Sequence, residues 1–123
     1  MYELTQKFYF EAAHTLERTV DVEPSRRIHG HTYHAEVALQ GEPEAGSHML
    51  MDLGFLRRII DELRDKLDHR FLDEVEGLER PTIEGLCDFI AKELKDQLPA
   101  LAWVKVWREA SGDGCKLFLK KQV

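Results

Sequence analysis

The sequence predicts an α+β domain in which four antiparallel strands flank two helices, in chain order ββααββ. Three observations carry that expectation. Hydrophobic and polar residues alternate near both ends of the chain, the period of a half-buried strand. Two central stretches place apolar residues at helical spacing instead. Strands grouped apart from helices favour an antiparallel sheet with the helices on one face.

In the first strand, 2–11, Tyr2, Leu4, Phe8 and Phe10 share one parity, and Glu3, Thr5, Lys7 and Glu11 the other. In the second, 29–40, His29, His31, Tyr33, Ala35, Val37 and Leu39 share a face. Gly, Pro and Ser punctuate 41–49, which reads as a loop. Asp52 is the expected N-cap of the first helix. Its inner stripe is Leu53, Leu56, Ile59, Ile60, Leu63 and Leu67, with Glu62 and Lys66 as an outer i,i+4 pair. Thr82 is the expected cap of the second helix, whose stripe is Leu86, Phe89, Ile90 and Leu94 and which ends before Pro99. Over 103–110, Val104 and Val106 alternate with Trp103, Lys105, Trp107 and Glu109. Ser111-Gly112-Asp113-Gly114 is a hairpin connection to a last strand, 115–120, with Cys115, Leu117 and Leu119 on one face. Two helices cover only one face of such a sheet. Its other face and edges need cover from further copies, so a homo-oligomer is expected.

At 123 residues the chain is expected to be one domain, 1–123. Its 43% hydrophobic and 33% charged residues are those of a folded rather than a disordered chain. No apolar run approaches about 18 residues, so no membrane-spanning helix is expected. The start, MYELTQKFYF, lacks a basic segment followed by an apolar one, which favours the cytoplasm. Cys87 and Cys115 form no CxxC pair, which excludes a cysteine-based zinc site; both read as core. A net charge of −6 argues against nucleic-acid binding.

His29-Gly30-His31 is the first chemical signal. Residues i and i+2 of a strand point to the same face about 6–7 Å apart, within reach of one ion. If the first two strands pair, His14 joins them. Three neutral imidazoles suit Zn²⁺ and leave its fourth position open. The spacing is equally met by strand histidines facing solvent or an interface. His34, on the opposite face, and His48, in a loop, read as surface residues. Asp68-His69 closes the first helix, where dipole and carboxylate favour a charged imidazole able to exchange protons near neutral pH; a plain charged helix end fits equally. Glu109 could accept two parallel hydrogen bonds from an amidine-like ligand edge, or simply stand in solvent. Arg18, Arg26 and Arg27, in or beside the long irregular segment 15–27, suit phosphate contact or form a solvated cluster.

Taken in order, Phe10-Glu11-Ala12-Ala13-His14, Arg27-Ile28-His29-Gly30-His31, Met51-Asp52-Leu53, Leu67-Asp68-His69, Pro81-Thr82-Ile83-Glu84 and Glu109 resemble the 6-pyruvoyltetrahydropterin synthase family. Within it the chain looks most like bacterial 6-carboxytetrahydropterin synthases of the queuosine pathway. The resemblance implies a tunnelling fold (T-fold) whose subunits join their sheets into a barrel, as a homohexamer with active sites between subunits. It implies that His14, His29 and His31 bind Zn²⁺, that Asp68 and His69 relay protons, and that Glu109 anchors a pterin ring in a pocket lined by Thr82 and Glu84. The implied reaction converts 7,8-dihydroneopterin triphosphate to 6-carboxy-5,6,7,8-tetrahydropterin, or to a pyruvoyl product. One departure matters. The family's catalytic cysteine stands four residues before the first histidine of the HGH motif, and here that position is Ser25. A serine hydroxyl does not ionise near neutral pH without strong activation. Some members use a glutamate in this loop and cleave by a retro-aldol route to 6-hydroxymethyl-dihydropterin; Glu23 is near but not in register. A zinc-containing pterin binder without turnover is the reading from another class.

Overall fold

The computed structural model describes residues 1–121. Strands β1 (Tyr2–His14), β2 (His29–Gly41), β3 (Arg70–Phe71), β4 (Leu101–Arg108) and β5 (Asp113–Phe118) form one sheet in the order β3-β1-β2-β4-β5. Helices are α1 (Val22–Arg26), α2 (Leu53–Arg64) and α3 (Ile83–Leu94). The expected four-stranded antiparallel core is there, because the parity of each long strand places its apolar residues together. Two elements correct the expectation. The two-residue β3 pairs parallel to β1 at Ala12 and Ala13, making the sheet five-stranded and mixed. The five-residue α1 lies inside the segment expected to be irregular, entered through a left-handed Asp21 (φ 54°). Neither is long enough to show a period in sequence.

The core is one cluster between the sheet and the two long helices. Phe10, Tyr33, Ala35, Val37, Leu39, Val104 and Val106 face Leu56, Ile59, Ile60 and Leu63 of α2 and Leu86, Phe89, Ile90 and Leu94 of α3. Full burial of one such large side chain contributes roughly 1.5–3 kcal/mol, so this cluster fixes the strand register. Asp52 caps α2, its carboxylate accepting from the Gly54 and Phe55 amides at 2.8 and 3.2 Å. Thr82 caps α3 through the Gly85 amide at 3.0 Å. Leu53 is exposed rather than inside, because at the first position of α2 it points past the sheet. Lys66 pairs with Glu93 of α3 at 2.9 Å, not with Glu62. β4 stops at Arg108, one residue short of Glu109, and Leu119 lies beyond β5 and is exposed. The face away from the helices carries aromatic and cationic side chains. His34, expected at the surface, is half-buried there, stacked on Trp107 at 5.5 Å.

Candidate active site

The β1/β2 register builds the site. It sets His14 directly opposite His29 and Ala12 opposite His31. The short Ala12 side chain leaves room across the strand pair, and the three imidazoles converge with one nitrogen of each within 4.8 Å of the others.

Backbone carbonyls fix the rings. His14 Nδ1–H donates to the Pro81 carbonyl at 2.6 Å, and His29 Nδ1–H donates to that of Arg27 at 2.7 Å. Each ring therefore keeps its Nε2 lone pair for the centre of the cluster. Outer partners of this kind set tautomer and aim in metal sites. Nε2 of His14 lies 3.1 Å from Nε2 of His31. Two nitrogens each about 2.0–2.1 Å from one zinc ion in near-tetrahedral geometry are separated by about this much. Burial first, then the Arg108 charge, lowers the His31 pKa to about 4; burial likewise lowers that of His14. Both are neutral at pH 7, as ligands must be. The donor set fits a single Zn²⁺ with an open position.

Asp68 and His69 are clamped to the same strand. The Glu11 amide donates to Asp68 Oδ1 at 2.9 Å, and the His69 amide donates back to the Glu11 carbonyl at 2.6 Å. His69 adopts a left-handed backbone (φ 58°), uncommon for a residue with a side chain, and its exposed ring pairs through Nδ1 with Asp68 Oδ2 at 2.9 Å. The Glu11 amide, then the His69 and Arg64 contacts, hold the Asp68 carboxyl below the usual carboxylate range. His31 and His69 both line a groove of about 560 Å³ with Glu11, Gly30, Thr32 and Phe71. The fold thus brings His31 of the histidine cluster and His69 of the carboxylate–imidazole pair to one groove.

The remaining expected residues stand apart from the cluster in different ways. Ser25 is buried in α1, while Glu23 on the same helix is exposed. Arg26 is exposed and pairs with Glu17 at 3.4 Å; Arg27 is exposed and touches the site only through its carbonyl. Thr82 is spent as the α3 cap and Glu84 points to solvent; their segment reaches the cluster through the Pro81 carbonyl. Glu109 is exposed in the turn after β4, its Oε1 accepting from Trp107 Nε1 at 2.7 Å. Burial pushes the Cys87 thiol up to about 12 among core residues, so it is no nucleophile.

The residue that does enter is Arg108, which sequence reading passed over. Its Nη1 lies 3.3 Å from His31 Nε2 and its Nη2 2.7 Å from Asp113 Oδ2. Alternation could have found it, since Arg108 shares parity with the buried Val104 and Val106, whereas Glu109 falls on the parity of Trp107.

Residues 3–118 match the family model described as 6-pyruvoyl tetrahydropterin synthase. The chain belongs to this family. It is 33% identical over 90 residues to a dihydroneopterin monophosphate aldolase of Pyrococcus furiosus, covering 73% of this chain and 72% of that one. It is 34% identical over 112 residues to a 6-carboxy-5,6,7,8-tetrahydropterin synthase of Synechocystis, covering 86% and 85%. The 6-pyruvoyl tetrahydropterin synthase structure of Caenorhabditis elegans superposes with a TM-score of 0.81 at 24% identity, over 97% of this chain and 96% of that one, which shows a shared fold. These relatives are named an aldolase of a dihydroneopterin phosphate and a synthase of a tetrahydropterin. Among the described residues no helix is long and apolar enough to cross a membrane.

Proposed function

We propose that this protein is a zinc-dependent lyase that breaks a carbon–carbon bond in the side chain of a phosphorylated 7,8-dihydroneopterin. The convergence of the His14, His29 and His31 imidazoles, beside a groove that His31 and His69 both line, is the observation that carries the reading. When bound, Zn²⁺ supplies Lewis-acid polarisation of substrate oxygens. The chain's own residues do the rest. His14, His29 and His31 would hold the metal, the first two with tautomers fixed by backbone carbonyls. His69, its Nδ1 paired to Asp68, presents Nε2 to the groove to take or return a proton. A positioned acid–base pair of this kind contributes roughly 10²–10⁴-fold.

The first outcome is 6-carboxy-5,6,7,8-tetrahydropterin, the product named for the Synechocystis relative, formed here from the triphosphate. A specific observation favours a second outcome. By the resemblance Ser25 takes the place of the family's thiol, and one relative is named an aldolase, which supports a retro-aldol outcome. Glu109, Glu84, Arg26 and Arg27 face outward in the single chain while Thr82 is half-buried as the α3 cap, and we assign the substrate contacts of this set to boundaries between copies in a homohexamer. Exposed Tyr2, Met49, Phe55 and Phe118 supply apolar surface for such contacts. Two free cysteines fit a reducing, cytoplasmic setting. Incubating zinc-loaded protein with dihydroneopterin triphosphate and, separately, monophosphate, then separating the products, is the test. A 6-carboxy or 6-hydroxymethyl pterin is the expected result; unchanged substrate in both arms overturns the assignment in favour of a binder.

A further inference from the structure

We infer that Arg108 makes an oxyanion subsite beside the metal position and selects the phosphorylated form of the substrate; this rests on the pterin-lyase reading above. The argument starts from donor accounting. A guanidinium offers five N–H groups and no acceptor. Asp113 Oδ2 takes Nη2 at 2.7 Å, and His31 Nε2 is the one acceptor near Nη1, at 3.3 Å. Nε is buried and has no partner among the described residues. The Arg108 side chain is only 19% exposed, so water does not satisfy these groups freely.

Metal loading makes the imbalance worse. The His31 Nε2 lone pair is the one a metal ion would take, so Nη1 loses its acceptor. A divalent cation then stands next to a fixed guanidinium with donors unmet. Arg108 cannot turn away, because Asp113 pairs with it across the β4/β5 ladder. Arg18 adds more positive charge nearby: with Arg108 it is among the groups that hold the Asp113 carboxyl low. A group with two adjacent anionic oxygens, one toward the metal and one toward Arg108, relieves the repulsion and satisfies the fork. Glu109, expected to meet a donor edge, is turned outward, and the charge facing the cluster has the opposite sign. The substrate class fits: its side chain carries a phosphate close to the oxygens that zinc polarises.

This arrangement makes zinc and oxyanion bind cooperatively, and such coupling is reciprocal. Zinc affinity is measured by chelator competition with and without inorganic phosphate, for wild type and Arg108→Gln. Wild type is expected to bind zinc at least about fivefold tighter with phosphate, in the usual range of coupling. Arg108→Gln should bind zinc at least as tightly as wild type without phosphate, because the repulsion is gone, and lose the phosphate effect. Arg108→Lys should retain part of it. If Arg108→Gln does not fold, Asp113→Asn frees the guanidinium and should weaken the coupling. No phosphate effect in wild type, or one that survives Arg108→Gln, overturns the subsite. A calorimetric arm compares dihydroneopterin monophosphate with unphosphorylated dihydroneopterin; equal affinities overturn the phosphate preference. Coupling without any pterin turnover would instead retire the lyase reading and leave the oxyanion subsite standing.

Discussion

Gly85→Ala reverses the ordinary expectation for a helix glycine. Gly85 sits in the first turn of α3, where alanine normally gains about 1 kcal/mol over glycine. Here a Cβ would lie 1.9 Å from the Arg80 carbonyl oxygen and 3.0 Å from its carbon. Both are backbone, so no side chain can swing aside. Reaching ordinary contact requires the Arg80 peptide to retreat by about 1.5 Å. Overpacking of this kind costs about 1–3 kcal/mol, which outweighs the propensity gain and leaves a net loss of up to about 2 kcal/mol. The next carbonyl along the chain is that of Pro81, which holds His14 Nδ1 at 2.6 Å. A shift of that size breaks the bond, and loss of an outer-shell partner typically lowers metal affinity 10–100-fold. Thermal unfolding of the metal-free protein should show a Tm several degrees lower, and chelator competition should show the weaker zinc binding. Gly41→Ala is the control: nothing lies within 4 Å of the Cβ it would gain, and stability should change little. A Gly85→Ala protein as stable as wild type refutes the packing argument. One that is destabilised yet binds zinc normally refutes the link from Pro81 to His14.

The other predictions concern the cluster and the loop. Purified His29→Ala/His31→Ala should carry no stoichiometric zinc by elemental analysis; wild-type zinc content would show that the ion sits elsewhere. His31 has a folded pKa near 4 against about 6.5 unfolded, so the unfolded chain binds a proton the folded one refuses. The stability of the metal-free protein should therefore fall as pH drops from about 6.5 toward 4 and be level above 7; the slope, read from Tm against pH, should shrink in His31→Ala, and an identical slope would count against it. Ser25→Cys should raise side-chain conversion tenfold or more if proton abstraction limits the rate, which is only about 1.4 kcal/mol of barrier. Ser25→Ala should matter little and Glu23→Gln should be damaging if Glu23 is the base; full activity in both, with no gain from the thiol, removes α1 from the mechanism.

The long strands, both long helices and their caps are legible from local sequence, because each rests on a local period or on one side chain bonding the next turn. Alternation in 2–11 and 29–40 already dictates the buried face, and the same parity puts His29 and His31 together. His29 and His31 were legible as a pair because strand spacing is a local property, and the order of the motifs added His14 and the expected chemistry. What the tertiary structure decided depends on contacts between residues distant in the chain. His14 meets His29 only through the β1/β2 register; its ring is aimed by Pro81, 67 positions away. β3 and α1 are too short to have a period and exist because Ala12, Ala13 and the loop around Asp21 offer them partners. That Arg108 rather than Glu109 stands beside the histidines in the single chain turns on one residue of alternation. A one-residue step in a strand moves a side chain to the opposite face, and only the pairing of Arg108 with Asp113 across β4 and β5 fixes which charge meets the histidines.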